Sequence, residues 1–291
     1  MGPSESPAVS EFAREVLAIL VLYGRTLGES ITFRSLEEGR RRVGQRLDLF
    51  VYDNSVVASH PAPASGWQIE YRHDPTNPGV SRAYLEGARV AAERGKRWLL
   101  LLDQDTCFPG EAITVYADAL RQYPAEVLFA PVLRAGGHIL SPCAYRFPRG
   151  TPLKTTATGL QHLSGKSVLN SGMCISLAAY LNVGGHDPRL GLDFSDHEFI
   201  DRLKRRHAHV RILPLECRHE FSGALRPSVE ASLQRFRFFC LGVRYASPGG
   251  LQSALGAAMV AGRACRLAFR HRHPGFLRIA ASTLIGGAGE R

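Results

Sequence analysis

Short apolar segments alternate with amphipathic ones along the first part of the chain. Continuous apolar runs predict strands buried on both faces, and apolar residues at helical spacing predict the helices between them. The predicted strands are 16–22, 47–52, 68–71 and 98–102, and the predicted helices are 30–42, 78–94 and 109–123. This order indicates βαβ units and therefore an α/β fold with parallel strands.

The pattern changes twice further along. Residues 127–168 are richer in proline and glycine, which predicts short mixed strands and loops; a helix at 195–206 and a strand at 210–213 follow. After Arg226 the composition shifts to Arg, Phe, Ala and Gly, which is typical of a helical appendage. We therefore expect a single α/β domain over 1–225 and a basic amphipathic helical region over 226–291.

Composition and charge narrow the class of protein. An apolar fraction of 45% is that of a folded globular protein, and no apolar run approaches the ~20 residues of a membrane-spanning helix. The six scattered cysteines form no C-x-x-C pair, and no secretory signal is recognisable, which together favour a cytoplasmic protein.

Residues 200–291 hold 16 Lys and Arg against 5 Asp and Glu, whereas 1–199 hold 20 against 21. The C-terminal part is therefore expected to face nucleic acid, a phospholipid surface or a diphosphate-bearing substrate.

Three carboxylates follow predicted strands. Asp53 ends one strand, and Asp103 and Asp105 follow another with a single residue between them. Ligands of parallel sheets bind beyond the carboxyl ends of the strands, so these residues are expected to converge. Two adjacent carboxylates repel unless a hard cation neutralises them, and Mg²⁺ or Mn²⁺ also binds phosphate oxygens. The alternative is a polar turn in which Asp105 or Thr106 caps the next helix.

Five segments in order carry a family resemblance. They are VYDNS (51–55), NPGVSRAYLEGARVA (77–91), LLLLDQDT (99–106), NSG (170–172) and DFSDHEF (193–199). Together they resemble the family 2 inverting glycosyltransferases of GT-A fold, and most closely their bacterial rhamnosyltransferase branch. The resemblance covers roughly residues 15–225 and implies a Rossmann-like nucleotide-sugar-binding domain, consistent with the predicted βαβ order.

The resemblance also implies residue roles on the donor side. Asp53 would lie near the nucleobase, Asn77 and Gly79 would flank the nucleotide, and Asp103 would contact the ribose or a metal-bound water. Asp105 would bind the metal directly, with Asp103 beside it. His219, in CRHEFSG, falls where related enzymes place a histidine on the metal or on the leaving diphosphate.

Asp196 is the implied general base. A carboxylate can take the proton of an attacking hydroxyl, especially when a second carboxylate such as Asp193 or Glu198 raises its pKa. The alternative is that Ser195 or Asp196 caps the following helix, and both roles are compatible.

The basic C-terminal region has apolar positions at helical spacing. Leu233, Phe236, Cys240 and Val243 share one face, Arg263, Arg266 and Arg270 another, and Leu255, Met259, Leu267 and Phe269 lie on an apolar face. A basic amphipathic helix suits an anionic membrane surface. Packing on the catalytic domain and self-association are the alternatives.

The sequence thus predicts a metal-dependent inverting glycosyltransferase with Mg²⁺ or Mn²⁺ as cofactor. Its donor would be a dTDP- or UDP-sugar, with dTDP-rhamnose as the expectation of the branch. Its acceptor would be a saccharide or lipid-linked saccharide of a bacterial surface polysaccharide, at the inner face of the cell membrane. A nucleotidyltransferase and a non-specific nucleic-acid-binding protein remain alternatives, although no specific nucleic-acid motif is present.

Overall fold

The computed structural model describes residues 6–220, 228–247 and 249–285. In chain order the strands are β1 (Val16–Leu22), β2 (Leu47–Asp53), β3 (Trp67–His73), β4 (Trp98–Leu102), β5 (Thr106–Cys107), β6 (Leu128–Ala135), β7 (His138–Arg146), β8 (Arg149–Leu153), β9 (Gly159–His162), β10 (Lys166–Ser167), β11 (Met173–Ser176) and β12 (His209–His219). The helices are α1 (Pro7–Glu15), α2 (Ile31–Val43), α3 (Val80–Glu93), α4 (Ala112–Gln122), α5 (Leu177–Asn182), α6 (Ser195–Leu203), α7 (Val229–Ala246), α8 (Leu251–His271) and α9 (Gly275–Ile285), with a 3₁₀ helix at Leu27–Glu29.

The described strands join in one mixed sheet with the main order β10-β7-β6-β11-β4-β1-β2-β3. Strands β1 to β4 are parallel to one another, as the βαβ pattern predicts. β11 lies antiparallel between β4 and β6. β12 branches from this order: it runs parallel to β6 and antiparallel to β5 and β9. The predicted strand at 210–213 is therefore longer than expected and reaches the edge where β4 ends.

Both faces of the sheet are covered, because alternate residues of β1 enter two different cores. Val16, Ala18, Leu20 and Leu22 pack in one core with α1, α2 and α4, and Leu17, Ile19 and Val21 pack in the other with α3, α5 and α6. Every residue of β1 is buried, which explains its continuous apolar sequence. The fold class is thus the predicted α/β one, with flanking helices.

The C-terminal helices form a third core with the end of β7. Phe236, Cys240 and Val243 of α7 pack with α8, α9 and the rings of Tyr145 and Phe147. The predicted apolar face of α7 is therefore a packing face. The predicted face of α8 is wrong as a single surface: Met259 and Leu267 pack against the core, whereas Leu255 and Phe269 are exposed.

Two further differences concern local structure. α6 ends at Leu203, three residues earlier than predicted. The elements α1, α5 and β11 were not predicted, because each is too short to show a clear hydrophobic period.

Among the described residues, no helix combines the length and the hydropathy needed to cross a bilayer. The domain boundary at 225/226 stays a prediction.

Candidate active site

The loops that follow the parallel strands are hydrogen-bonded side by side. The amide of Asn54, after β2, donates to the carbonyl of Leu22 at the end of β1 (2.9 Å). The amide of Asp74, after β3, donates to the carbonyl of Asp53 (2.8 Å). The carboxyl ends of these strands therefore form one continuous edge, which is where an α/β sheet binds ligands.

Asp53 is fully buried in this edge. Its carboxylate accepts hydrogen bonds from the Ser55 amide (2.9 Å), the Tyr71 hydroxyl (2.7 Å) and the Ser59 hydroxyl (3.1 Å). Burial alone would raise the pKa of Asp53, but these hydrogen bonds outweigh it and hold the pKa below its usual range. In the structure this carboxylate orders the loop after β2, and its contact with a nucleobase stays a prediction.

Asn77 and Gly79 fix the entry to α3. Both have positive φ, 48° and 93° respectively. A Cβ on Gly79 would lie 1.9 Å from the carbonyl oxygen of Gly191, which accepts from the amide of Val80 at 2.7 Å. Only glycine fits at this position. The contact ties the start of α3 to the segment that leads into α6, and the nucleotide-flanking role of both residues stays a prediction.

Gln104, between the two predicted site aspartates, has a role that sequence reasoning missed. Its Oε1 accepts from the Tyr23 amide (2.9 Å), and its Nε2 donates to the Tyr23 carbonyl (3.1 Å). Its own carbonyl accepts from the Ser30 hydroxyl (3.0 Å). The amide side chain thus fastens the loop after β1 to the loop after β4. The only sign of this role in the sequence is the position of an amide side chain between two carboxylates.

Asp103 is held by two hydroxyl groups. Tyr84 of α3 donates to its Oδ1 (2.9 Å), and Ser171, from the NSG segment, donates to its Oδ2. Tyr84 is fully buried, and burial, followed by the charge of Asp103, raises its pKa well above the usual value. Tyr84 therefore stays protonated and orients Asp103.

Asp105 and His219 are brought together by the pairing of β5 with β12, in which His219 lies opposite Thr106. His219 Nδ1 lies 2.9 Å from Thr106 Oγ1 and 3.6 Å from Asp105 Oδ1. Carboxylate and imidazole are both ligands for Mn²⁺, and diphosphate oxygens and water can complete the coordination. The donor set therefore fits a divalent cation.

The predicted metal group of Asp103, Asp105 and His219 does not form a single cluster. Within the described ranges, no three His, Cys, Asp or Glu side chains are arranged to hold a metal ion. The carboxylate of Asp103 is instead engaged by the hydroxyls of Tyr84 and Ser171. Of the three, Asp105 and His219 are the pair that lies close together, and their binding of a cation stays a prediction.

Asp196 lies in the first turn of α6, after Phe194 with a φ of 70°. Its Oδ1 accepts from the amide of His197 (2.7 Å), which satisfies an amide of the first turn. The N-cap itself is Phe194, so neither Ser195 nor Asp196 occupies the capping position that the alternative gave them. Its charge also acts on the hydroxyl of Tyr84, as does that of Asp103. Asp103 is hydrogen-bonded to Tyr84, whereas Asp196 affects this hydroxyl only through its charge.

Glu198 and Asp193, the acidic residues predicted beside Asp196, each have arginine neighbours. Glu198 forms a paired hydrogen bond with Arg202 of the same helix, at 2.5 and 2.8 Å, because the two side chains are one turn apart. Burial raises the pKa of Asp193, against the charges of Arg235 and Arg263. Asp193 therefore lies within reach of arginines on α7 and α8, and Glu198 is paired with Arg202.

A buried polar chain behind α6 was also missed. His186 is fully buried and stacks on Phe199, with ring centroids 4.3 Å apart. Its Nε2 donates to Asn170 Oδ1 (3.0 Å), and Asn170 Nδ2 donates to Ser195 Oγ (3.3 Å). Asn170 Oδ1 can only accept, so Nε2 carries the proton and Nδ1 accepts from the Tyr180 hydroxyl (3.1 Å). This chain fixes the start of α6, and with it Asp196.

The mixed sheet with helices on both faces has the GT-A fold. Two solved structures share this fold. One is TarS residues 1–349 from S. aureus, with a TM-score of 0.51, 11% identity, and coverage of 95% of this chain and 93% of that one. The other is the mannosyltransferase PcManGT from Pyrobaculum calidifontis, solved with GDP-Man and Mn²⁺, with a TM-score of 0.51, 14% identity, and coverage of 95% and 76%.

Residues 32–165 match the sequence profile of the family described as Glycosyl transferase family 2. This is the family that the five segments resemble, and the match includes the first three of them. A match to this family supports a glycosyltransferase. Among curated proteins, no sequence matches the chain. The matched range includes Asp53, Asp103 and Asp105, while Asp196 and His219 lie beyond it.

Proposed function

We propose that the protein is a metal-dependent inverting glycosyltransferase that moves a sugar from a nucleoside-diphosphate donor to an acceptor hydroxyl. The observation that carries this proposal is the pairing of Asp105 with His219, 3.6 Å apart, at the edge where the parallel strands end. A carboxylate and an imidazole at this edge suit a cation that holds a diphosphate. The Mn²⁺ and GDP-Man in the mannosyltransferase structure are a precedent for such a site on this fold.

Asp105 and His219 would hold the cation, which supplies positive charge next to the diphosphate. Gln104 would hold the loop after β1, which contains Tyr23, next to the donor. Asp103, oriented by Tyr84, would contact the ribose. These assignments use the hydrogen bonds already described. They leave Asp196, in the first turn of α6, for the acceptor.

Transfer would occur in a single displacement. The acceptor oxygen forms a bond to the anomeric carbon while the bond from that carbon to the diphosphate oxygen breaks, and the electron pair leaves with the nucleoside diphosphate. The hydroxyl proton passes to the Asp196 carboxylate. Attack from the face opposite the leaving group inverts the anomeric configuration, which proton NMR of the product would reveal.

The donor and acceptor follow from the resemblance to the rhamnosyltransferase branch. We take dTDP-L-rhamnose as the first donor to test, followed by UDP-sugars, and a saccharide or lipid-linked saccharide of a bacterial surface polysaccharide as the acceptor. A transfer screen in which one donor is varied at a time distinguishes these donors. Transfer from a different nucleotide sugar would support the proposed glycosyl transfer but contradict the assignment to the rhamnosyltransferase branch.

Calorimetric titration with dTDP and UDP, with and without Mn²⁺, tests the metal site. We expect binding to need Mn²⁺ and to be lost in Asp105→Asn, because the cation loses its carboxylate. The matched control is Asp118→Asn, an exposed aspartate on α4 that should bind as wild type does. Metal-independent binding that survives Asp105→Asn would contradict the proposal, as would pyrophosphate release from a nucleoside triphosphate or salt-sensitive RNA binding without nucleotide binding.

Steady-state kinetics test the base. Asp196→Asn should lower kcat roughly 10²- to 10⁴-fold, which is the usual contribution of a general base. Nucleotide binding should be unchanged, because Asp196 acts on the acceptor. Asp201→Asn, in the same helix, is the matched control. Equal kcat values for the two variants would exclude Asp196 as the base.

A further inference from the structure

Helix α8 has two apolar faces, only one of which is packed. Gly256, Val260 and Ala264 are buried against the C-terminal core. The opposite face, here called the α8 stripe, consists of Leu251, Leu255, Ala258, Gly262, Cys265 and Phe269, all of them exposed. Their spacing of four and three residues confines them to an arc of about 80° on the helix.

The exposure of the large residues in the α8 stripe is high. Leu251 is 78% exposed, Leu255 is 52% exposed and Phe269 is 88% exposed. α9, which packs on α8, exposes Leu277 and Leu284 as well. Scattered apolar residues are normal on a surface, but an aligned row of this kind marks an interaction site.

The charge around the α8 stripe is of one sign. Residues 251–285 contain five arginines, two histidines and no Asp or Glu. Arg266 and Arg270 are exposed and follow Cys265 and Phe269 directly, so they border the stripe. Arg263 is different, because it packs over the ring of Phe239 with its guanidinium carbon 4.0 Å from the centroid.

A partner that binds the α8 stripe and its neighbouring arginines must therefore offer both negative charge and apolar surface. A second copy of this helix would set arginine against arginine, with no acidic side chain on α8 or α9 to pair with them. A nucleic acid would satisfy the arginines and leave the leucines and Phe269 in water. A bilayer of anionic phospholipid satisfies both, because arginine pairs with phosphate while the apolar side chains enter the acyl boundary.

We propose that the α8 stripe is a docking surface for an anionic phospholipid membrane, on which α8 lies parallel to the surface. The proposal does not depend on glycosyl transfer. Phe239 of α7 packs on Phe194, two residues before Asp196, with ring centroids 6.0 Å apart. Docking would therefore fix the acceptor side of the candidate active site relative to the membrane.

Vesicle flotation of the full-length protein tests the surface. We expect binding to vesicles that contain phosphatidylglycerol and little binding to pure phosphatidylcholine. Leu255→Ser and Phe269→Ser should each weaken the binding several-fold, whereas Leu160→Ser should not. Leu160 is the matched control, because it is also 52% exposed but lies on β9.

The contribution of charge is tested separately. Arg270→Gln should weaken binding by about fivefold, the usual effect of one basic residue near an anionic surface. Arg149→Gln, at an exposed position on β8, should have no comparable effect. Thermal melting of each variant shows whether it is folded, so a loss of binding can be assigned to the surface.

Cys265 offers a direct readout because it is an exposed member of the stripe, whereas the other cysteines are buried or half-buried. An environment-sensitive fluorophore on Cys265 should shift to the blue with phosphatidylglycerol vesicles and stay unchanged with phosphatidylcholine. The proposal is overturned if vesicles do not bind, or if Leu255→Ser and Phe269→Ser bind as wild type does. It is equally overturned if the label shifts with protein concentration alone, which would indicate a second copy, or if arginine-dependent RNA retention occurs without vesicle binding.

Discussion

The neutral, buried His186 should make the stability of the protein depend on pH. Burial, and to a lesser degree the charge of Arg202, lowers its pKa from 6.5 to about 3. A protonated imidazole would also lose the hydrogen bond that Nδ1 accepts from Tyr180. Because the unfolded chain binds this proton more readily than the folded one, stability is fully present above pH 6.5 and falls as the pH approaches 3.

The magnitude follows from the two pKa values. At pH 7 few unfolded molecules carry a proton on this imidazole, so the free energy of unfolding is lowered only slightly. At pH 5 almost every unfolded molecule carries the proton and almost no folded molecule does. The difference in unfolding free energy between pH 7 and pH 5 is ~2 kcal/mol from this residue alone. His186→Gln removes the titration while it keeps a donor for Asn170 and an acceptor for Tyr180.

Urea unfolding at several pH values measures this effect, with the fluorescence of the buried Trp67 and Trp98 reporting on the sheet. The stability advantage of wild type over His186→Gln should shrink by ~2 kcal/mol from pH 7 to pH 5. His138→Gln, at an exposed position in β7, should run parallel to wild type. If the gap between wild type and His186→Gln stays constant with pH, the imidazole is not held neutral and the reasoning is wrong.

Three other substitutions test the fold around the site. Gly79→Ala should lower the melting temperature strongly or prevent folding, because its Cβ would meet the Gly191 carbonyl at 1.9 Å and its φ is positive; a melt like wild type would refute the contact. Gln104→Ala should weaken nucleotide binding roughly tenfold in calorimetry, since two hydrogen bonds to the Tyr23 loop are lost, and unchanged affinity would exclude that role. Phe276→Ala should destabilise the C-terminal core by about 3–5 kcal/mol in urea unfolding, and a value near zero would mean that the ring is not buried there.

Much of the site could be predicted because strand ends are recognisable locally. The runs 49–52 and 98–102 are apolar without interruption, so the polar residues after them had to lie at the carboxyl edge of the sheet. Asp53, Asp103 and Asp105 were found in this way. The pairing of Glu198 with Arg202, one turn later, was not predicted, because the sequence was interpreted only for its acidic residues here.

The sequence by itself determined the buried strands, their alternation with helices and the edge on which the aspartates lie, because hydrophobic periodicity reflects local burial. Only the tertiary structure decided the partners: Gln104 with Tyr23, 81 residues apart, and Thr106 with His219, 113 residues apart. It also decided which apolar face of α8 is packed and which is exposed. The two faces have similar compositions, and only the position of the neighbouring helices removes one of them from water.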